Sequence, residues 1–348
     1  MKSGFTTDDR IGLKHGAGGR AMRRLIQEAF QNAFATEPAQ QAGVIGLAEM
    51  DDGAAIRVGD QWLILTTDSH VIHPPFFPGG DIGRLAVAGT VNDLAMMGAT
   101  EVLGLTCSVV IEEGFPRQDL ERILASMRQA CAEADARVLT GDTKVMGKGE
   151  IDKIVINTTG EGLTQHVVRD CTLGVGDRII VTGTLGDHGM AIMATRHGLA
   201  LDTPLSSDVA PINGLIRRAL AIDPRVITAM KDPTRGGLAS ALHEMASKSH
   251  VGVLLDESAL PVRPETRGVA ELVGIDPMMI ANEGKAVLGV KAAFADAVLE
   301  ALRAHPLGRD AAIIGVCTAD RPGMVVLDTG LGRRLIAEPE GELLPRIC

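Results

Sequence analysis

Carboxylates recur in this sequence at strand ends and turns: Asp51-Asp52-Gly53-Ala54, Thr67-Asp68, Asn92-Asp93 and Gly141-Asp142. Hard divalent cations take oxygen ligands, and magnesium commonly joins one or two carboxylates to nucleotide phosphates. Glycine beside an acid lets a backbone approach a phosphate closely. The pattern points to ATP held through magnesium, and equally admits ordinary exposed Asp-Gly turns. The second half adds Lys231-Asp232-Pro233-Thr234-Arg235-Gly236-Gly237 ahead of a helix. Two glycines and an arginine at a helix start suit a phosphate, or a plain capped turn. Asn282-Glu283-Gly284-Lys285 stands before a strand and presents a carboxylate either to a cleft or to solvent. Common nucleotide signatures are missing. No G-x-x-x-x-G-K-[ST] occurs, and Gly16, Gly18 and Ala21 fit G-x-G-x-x-A without the preceding strand that a dinucleotide fold needs.

One thiol stands apart. The sequence ends Pro345-Arg346-Ile347-Cys348 after an acidic stretch containing Pro and Gly. Chain ends are exposed and mobile, so a terminal cysteine has little packing value. Residues 338–348 read as a flexible tail with a reach of roughly 35 Å at ~3.3 Å per residue. An incidental terminal cysteine is the plainer alternative. The other cysteines, Cys107, Cys131, Cys171 and Cys317, are widely spaced without a CxxC pair, which suits a reducing compartment. Cys107, Cys131 and Cys317 read as core residues, and His70 and His73 as loop residues.

These groups need elements to hold them. Residues 62–67 predict a strand ending at Asp68, and Asp81 N-caps a helix over residues 82–97 that Gly98 closes. Asp93 falls on the same stripe as Ile82, Ala86, Gly89 and Met96. A carboxylate on a buried face is costly unless paired or bound to metal. Further on, the pattern predicts strands over 102–111, 138–144 and 154–158 and an amphipathic helix over 120–134. A turn-rich stretch over 170–177 marks a domain boundary, giving domains of 1–168 and 169–337 and the tail 338–348. Helices over 208–221, 237–247 and 294–304 mix irregularly with short strands in the second half. That order fits an α+β fold with mixed sheets.

Composition narrows the partners. A formal net charge of -10 argues against nucleic acid or an anionic membrane bound through bulk attraction. No run reaches the ~18 apolar residues that cross a bilayer. The first residues lack the apolar stretch of a signal peptide. A soluble, cytoplasmic protein is expected.

Several segments together closely resemble the hydrogenase maturation factor HypE family: 15–19 (HGAGG), 66–83 (TTDSHVIHPPFFPGGDIG), 89–99 (GTVNDLAMMGA), 140–144 (TGDTK), 232–237 (DPTRGG), 282–284 (NEG) and the terminal PRIC. The acidic motifs are shared with the wider aminoimidazole ribonucleotide synthetase and selenophosphate synthetase family, and the terminal cysteine motif singles out HypE. Lys231 departs from the pattern, which has Arg before the Asp. The resemblance implies a two-domain, PurM-like ATP enzyme that forms a homodimer through its first domain. It implies that Cys348 receives a carbamoyl group from the carbamoyltransferase HypF. An ATP-dependent carbamoyl dehydratase step then gives a thiocyanate, whose cyano group passes to an iron centre on a HypC-HypD scaffold for [NiFe]-hydrogenase. It gives Asp51, Asp52, Asp68, Asp93, Asp142 and Asp232 to the nucleotide, with Mg2+ on Asp51, Asp68, Asp93 and Asp142. Lys144 would stabilise the moving phosphoryl group, Glu283 would act as general base, and Cys348 would carry the substrate. A selenophosphate synthetase would want a reactive cysteine or selenocysteine near its start, and the first cysteine here is Cys107.

Overall fold

The computed structural model describes residues 10–16, 18–34, 43–199, 205–339 and 347–348, and folds them around two sheets. A leading helix α1 (Gly19–Leu25) passes through a π-helical stretch, Ile26–Gln31, into a last turn α2 (Asn32–Phe34). The first sheet uses β1 (Val44–Ile45), β2 (Ala54–Val58), β3 (Gln61–His70), β6 (Glu101–Glu112), β7 (Val138–Met146) and β8 (Ile154–Thr164), while β4 (Phe76–Phe77) and β5 (Gly80–Asp81) form a small separate hairpin. Its order is β1-β2-β3-β8-β6-β7. The pairings are antiparallel except β6 with β7, which the helix α4 (Arg117–Ala134) joins as a crossover. Helix α3 (Ile82–Met96) precedes β6, and the Asp81 carboxylate accepts from the Gly83 and Arg84 amides to cap it.

One face of this sheet is covered and the other is open. Along β8, Ile154, Ile156 and Thr158 are buried, while Val155, Asn157 and Thr159 keep partial exposure, the period of a half-buried strand. β8 also runs beyond the expected end at Thr158. Its Gly160 and Gly162 read as breakers, yet they stand where a neighbour comes close. A Cβ on Gly160 would lie 2.7 Å from Thr90 Cγ2, and one on Gly162 would lie 2.9 Å from Ala99 Cβ.

The second sheet has the order β10-β12-β9-β13-β11-β14-β15. Its strands are β9 (Arg178–Val181), β10 (Ile227–Lys231), β11 (Gly252–Asp256), β12 (Val287–Val290), β13 (Ala312–Thr318), β14 (Val325–Asp328) and β15 (Arg333–Leu335). Around it lie α5 (Asp187–Arg196), α6 (Asn213–Leu220), α7 (Gly237–Ser249), α8 (Pro264–Val273) and α9 (Ala295–Arg303). Successive side chains of a strand point to opposite faces. Ile179 and Val181 accordingly join the cluster beneath α7, and Ile180 joins the cluster of α6 and α9. Both faces are covered, so the central strands read as continuous apolar runs. Helix α6 starts at Asn213, later than the expected residue 208, because Pro211 disfavours a helical conformation in the residue before it.

Helix α3 ties the halves together. Ala95 and Met96 join the apolar cluster of the second half, while Leu85 and Val87 belong to that of the first. A helix packed on all sides is apolar all round, and only Arg84 and Asp93 in it escape full burial. The expected stripe is thereby corrected. Asp93 occupies a gap in a uniformly buried helix.

Helices α3 and α4 meet closely at Gly83, where a Cβ would lie 2.5 Å from Ile123 O and 2.7 Å from Met127 Cγ. Gly83→Ala should therefore destabilise the protein by about 1–3 kcal/mol, as overpacking does. Thermal unfolding followed by circular dichroism checks this, and an unchanged midpoint would mean that the helices separate freely.

Candidate active site in the cleft between the sheets

A cleft of about 630 Å³ opens between the halves, and α1 forms part of its wall. Carboxylates enter it from both halves. Asp68 lies within β3, which continues to His70, so the reading of His70 as a loop residue is corrected. Residues i and i+2 of a strand share a face, and His70 Nε2 pairs with Asp68 Oδ2 at 3.1 Å. The ring fits because the helix opposite has no side chain at Gly89, where a Cβ would come 2.7 Å from His70 Nε2. One turn further on, Asp93 accepts from Thr66 Oγ1 at 2.9 Å. The second half contributes Asp232 directly after β10, and Arg235 just before Gly236, the left-handed N-cap of α7 (φ 77°). Arg235 also donates to Gly16 O at 3.0 Å, fastening the leading segment over the cleft.

Glu283 sits in a braced loop. The Glu283 and Gly284 amides donate to Asp208 at 3.2 Å each, and Lys285 pairs with Asp208 at 3.1 Å. From α3, Asn92 Nδ2 donates to Glu283 O at 3.1 Å and to Ala210 O at 3.2 Å.

The two halves are joined at the cleft floor by buried ion pairs. Lys231 donates to Asp52 and lies 3.7 Å from both Asp170 and Glu244. Lys248 pairs with Asp170 at 2.6 Å and Glu244 at 2.9 Å. Asp51 is turned into this junction, accepting from Arg169 Nε and the Asp170 amide at 3.2 Å each.

Burial, and after it the crowding of acids, raises most of their pKa values. Burial, then the charge of Asp170, pushes Asp51 up to about 7. Burial and Asp52 bring Asp232 to about 7. Burial, Asp232 and Asp68 raise both Asp93 and Glu283 well above the usual range. Burial also works to raise Asp68, yet His70 and Arg235 hold it at about 2. Negative charge here exceeds its local compensation, and Asp52 Oδ2 and Glu283 Oε1 are buried without a hydrogen-bond partner. Such a donor set fits a hard cation that a ligand brings with it. Among the described residues no group of three His, Cys, Asp or Glu side chains is arranged to hold a metal alone, so phosphate oxygens would complete the shell.

Of the residues singled out from the sequence, the structure brings Asp51, Asp52, Asp68, Asp93, Asp232, Glu283 and Cys348 to this cleft. It does not bring Asp142 or Lys144. They lie on β7, the edge strand, and pair with each other at 3.0 Å with side chains 59% and 66% exposed. The freely mobile tail is corrected at its tip, where Ile347 is buried and Cys348 lines the cleft; residues 340–346 lie outside the described residues. The tail leaves the body at an anchored point, for Glu338 pairs with Arg23 at 2.6 Å and Pro339 O accepts from the Arg20 amide at 3.4 Å. Sequence reasoning missed Asp170, Glu244 and Lys248. Glu244 and Lys248 form an i,i+4 pair, which reads as a solvated helix face, and Asp170 carried no signal.

Known proteins resemble this chain over nearly its whole length. Residues 50–164 match the N-terminal domain, and residues 174–328 the C-terminal domain, of AIR synthase related proteins. The carbamoyl dehydratase HypE of Bradyrhizobium diazoefficiens is 47% identical over 342 residues, covering 97% of this chain and 96% of that protein. A HypE solved in a HypE-HypF complex superposes with a TM-score of 0.83 at 42% identity, covering 90% of this chain and 99% of that one. A HypE solved in complex with ATP gives 0.79 at 39% identity, covering 97% and 99%.

Two outcomes follow from the charge network. Lys231→Met would strand Asp52 among other buried acids and should cost about 3 kcal/mol, whereas Lys231→Arg keeps most of the stability. Denaturant midpoints for the pair read this directly. Asp51 and Asp232, with folded pKa values raised to about 7, bind more protons folded than unfolded. Their contribution is present below pH ~4 and is lost as pH rises through 7. Asp68 and Glu244, held at about 2, change only in acid. The thermal midpoint without ligand should fall from about pH 5 to about pH 8, and magnesium with a non-hydrolysable ATP analogue should raise it most at the higher pH.

Proposed function

The chain belongs to the HypE carbamoyl dehydratases of the AIR synthase related family, and on that premise we propose that it dehydrates a carbamoyl group carried on Cys348. The substrate is the S-carboxamide of Cys348, and the overall change is carboxamide plus ATP to thiocyanate, ADP and phosphate. The carboxamide oxygen attacks the γ-phosphorus of ATP as the nitrogen gives up a proton. The second proton then leaves, the C–O bond breaks, and phosphate departs with the oxygen. Cys348 sulfur keeps its bond to carbon throughout. The observation that carries this reading is the placement of Cys348 in the same cleft as Glu283 and the acids.

Glu283 takes the proton from nitrogen. Burial raises its pKa well above the ordinary range, which makes its carboxylate a stronger base than a solvated one. Arg235, from the start of α7, places positive charge near the transferring phosphoryl group. When bound, magnesium would neutralise phosphate charge, with Asp52, Asp68, Asp93 and Asp232 the residues fitted to hold it. Asp51 serves instead through its contacts with Arg169 and Asp170.

The carbamoyl donor is the partner HypF, after the HypE-HypF complex of a relative. Transfer of the cyano group to an iron scaffold of the HypC-HypD kind completes hydrogenase maturation. The active form is a homodimer joined through the first sheet. β7 is exposed along its whole length, with Leu139 67% and Val145 69% exposed, and an open apolar edge strand is a template for a second chain. In that arrangement Asp142 and Lys144 reach the partner's cleft, and Lys144 stabilises the moving phosphoryl group there. No helix among the described residues is long and apolar enough to cross a membrane, in keeping with a cytoplasmic place for this chemistry.

Intact mass of the C-terminal peptide tests the reaction. After incubation with the carbamoyltransferase and carbamoyl phosphate, Cys348 should carry a carbamoyl adduct that loses one water only when ATP is added. Glu283→Gln should retain the adduct. An unmodified Cys348 in the presence of active partner sinks the proposal. Separately, Glu283→Gln and Lys144→Ala chains, each inactive alone, should recover about a quarter of wild-type activity when mixed and reassorted, since half of the twofold dimers are then mixed and keep one intact site. No recovery would put Lys144 outside the neighbouring cleft.

A further inference from the structure

We propose that His188 is a positioning residue that seats the terminal cysteine, holding the Ile347 carbonyl while the Ile347 side chain fills an apolar socket. The inference rests on the reading of Cys348 as carrier of the reacting group, although the seat itself is visible without it.

His188 is the second residue of α5 and is fully buried. Its Nε2 lies 2.8 Å from Ile347 O and its Nδ1 lies 2.7 Å from Ser207 Oγ. A carbonyl only accepts, so Nε2 carries the proton and Nδ1 accepts from the Ser207 hydroxyl. Ser207 Oγ in turn accepts from the Val209 amide at 3.0 Å, so each polar atom of the chain has a partner. The edge of the Phe77 ring meets the imidazole with centroids 5.5 Å apart, fixing its plane. Burial lowers the pKa of His188, in accord with a neutral ring.

Ile347 is 3% exposed and joins the apolar cluster that includes Ile72, Phe77, Met190 and Leu205. A second backbone contact follows at once, for the Val71 amide donates to Cys348 O at 3.3 Å. The last two residues are thus gripped from different elements. A shared brace relates this grip to the chemistry. Ser207 orients His188, and its neighbour Asp208 accepts from the Glu283 and Gly284 amides. One short segment therefore sets both the seat of Cys348 and the loop of Glu283. His188 touches no reacting atom and acts through the tail.

The test compares wild type with His188→Leu, His188→Gln and Ile347→Ala in the full-length protein. Ile347→Ala changes only the tail, so it keeps the proposal falsifiable should His188→Leu fail to fold. Two rates are read at Cys348 by mass spectrometry: alkylation by iodoacetamide without ligands, and first-turnover dehydration of the carbamoyl adduct. Losing one hydrogen bond or the apolar plug should speed alkylation and slow dehydration about fivefold each. His188→Gln, which can keep an N–H toward Ile347 O, should recover most of both, with nucleotide affinity unchanged. Wild-type alkylation as fast as that of the free C-terminal peptide would overturn the seat, as would unchanged rates in both Ile347→Ala and His188→Leu. Protection from alkylation that responds to the variants, in a protein whose adduct never loses water, would support the seat and overturn the dehydratase reading.

Discussion

Two largely buried ammonium groups, Lys231 and Lys248, hold the arrangement together. Lys231 lies among Asp52, Asp170 and Glu244, which come from separate parts of the chain and meet where the two sheets face each other. Burying a charge is costly, and burying three acids near one another costs more, so the junction depends on Lys231 and Lys248 together. Lys231 ends β10, and Asp232 follows it directly. The interaction that closes the domains thus also aims a carboxylate into the cleft. Stability and ligand chemistry share a residue pair here, Lys231 and Asp232.

Around this junction the fold divides its work. Helix α3 is packed on every side and carries the cleft's innermost groups, so Asp93 and Asn92 are positioned by a rigid element. Glu283 depends on a loop, and the loop is rigid because Asp208, Lys285 and Asn92 use up its polar groups. The excess negative charge that remains suits the cations and phosphates of the proposed reaction.

Much of this was legible in the sequence. Asp68, Asp93 and Asp232 stand out because each follows a strand or lies in a capped helix, and local signals mark those places. Asp142 and Lys144 carry an equally clear motif, yet local pattern cannot reveal that β7 is an edge strand whose residues turn away from this cleft. His70 was misread because Asp-Ser-His is polar and looks like a loop, while pairing with β8 extends the strand through it. Glu244 and Lys248 have the spacing of a surface pair, and only tertiary contacts such as those of Lys248 with Met50 O and Asp170 take them out of solvent. The tail's acidic, Pro- and Gly-containing stretch reads as a tether, and most of it lies outside the described residues. Docking of its tip through Ile347 depends on tertiary packing that local pattern does not reveal.

The anchored start of the tail has a further consequence. Pro339 and Glu338 are fixed on α1, so only eight residues separate that point from Cys348, a leash of about 30 Å when drawn out. A group on such a leash meets its own cleft at an effective concentration in the millimolar range, whatever the abundance of the protein. Saturation is then a property of chain length. On the proposed function the protein is at once reagent and vessel, and each turnover needs the leash to be loaded and unloaded by a visitor.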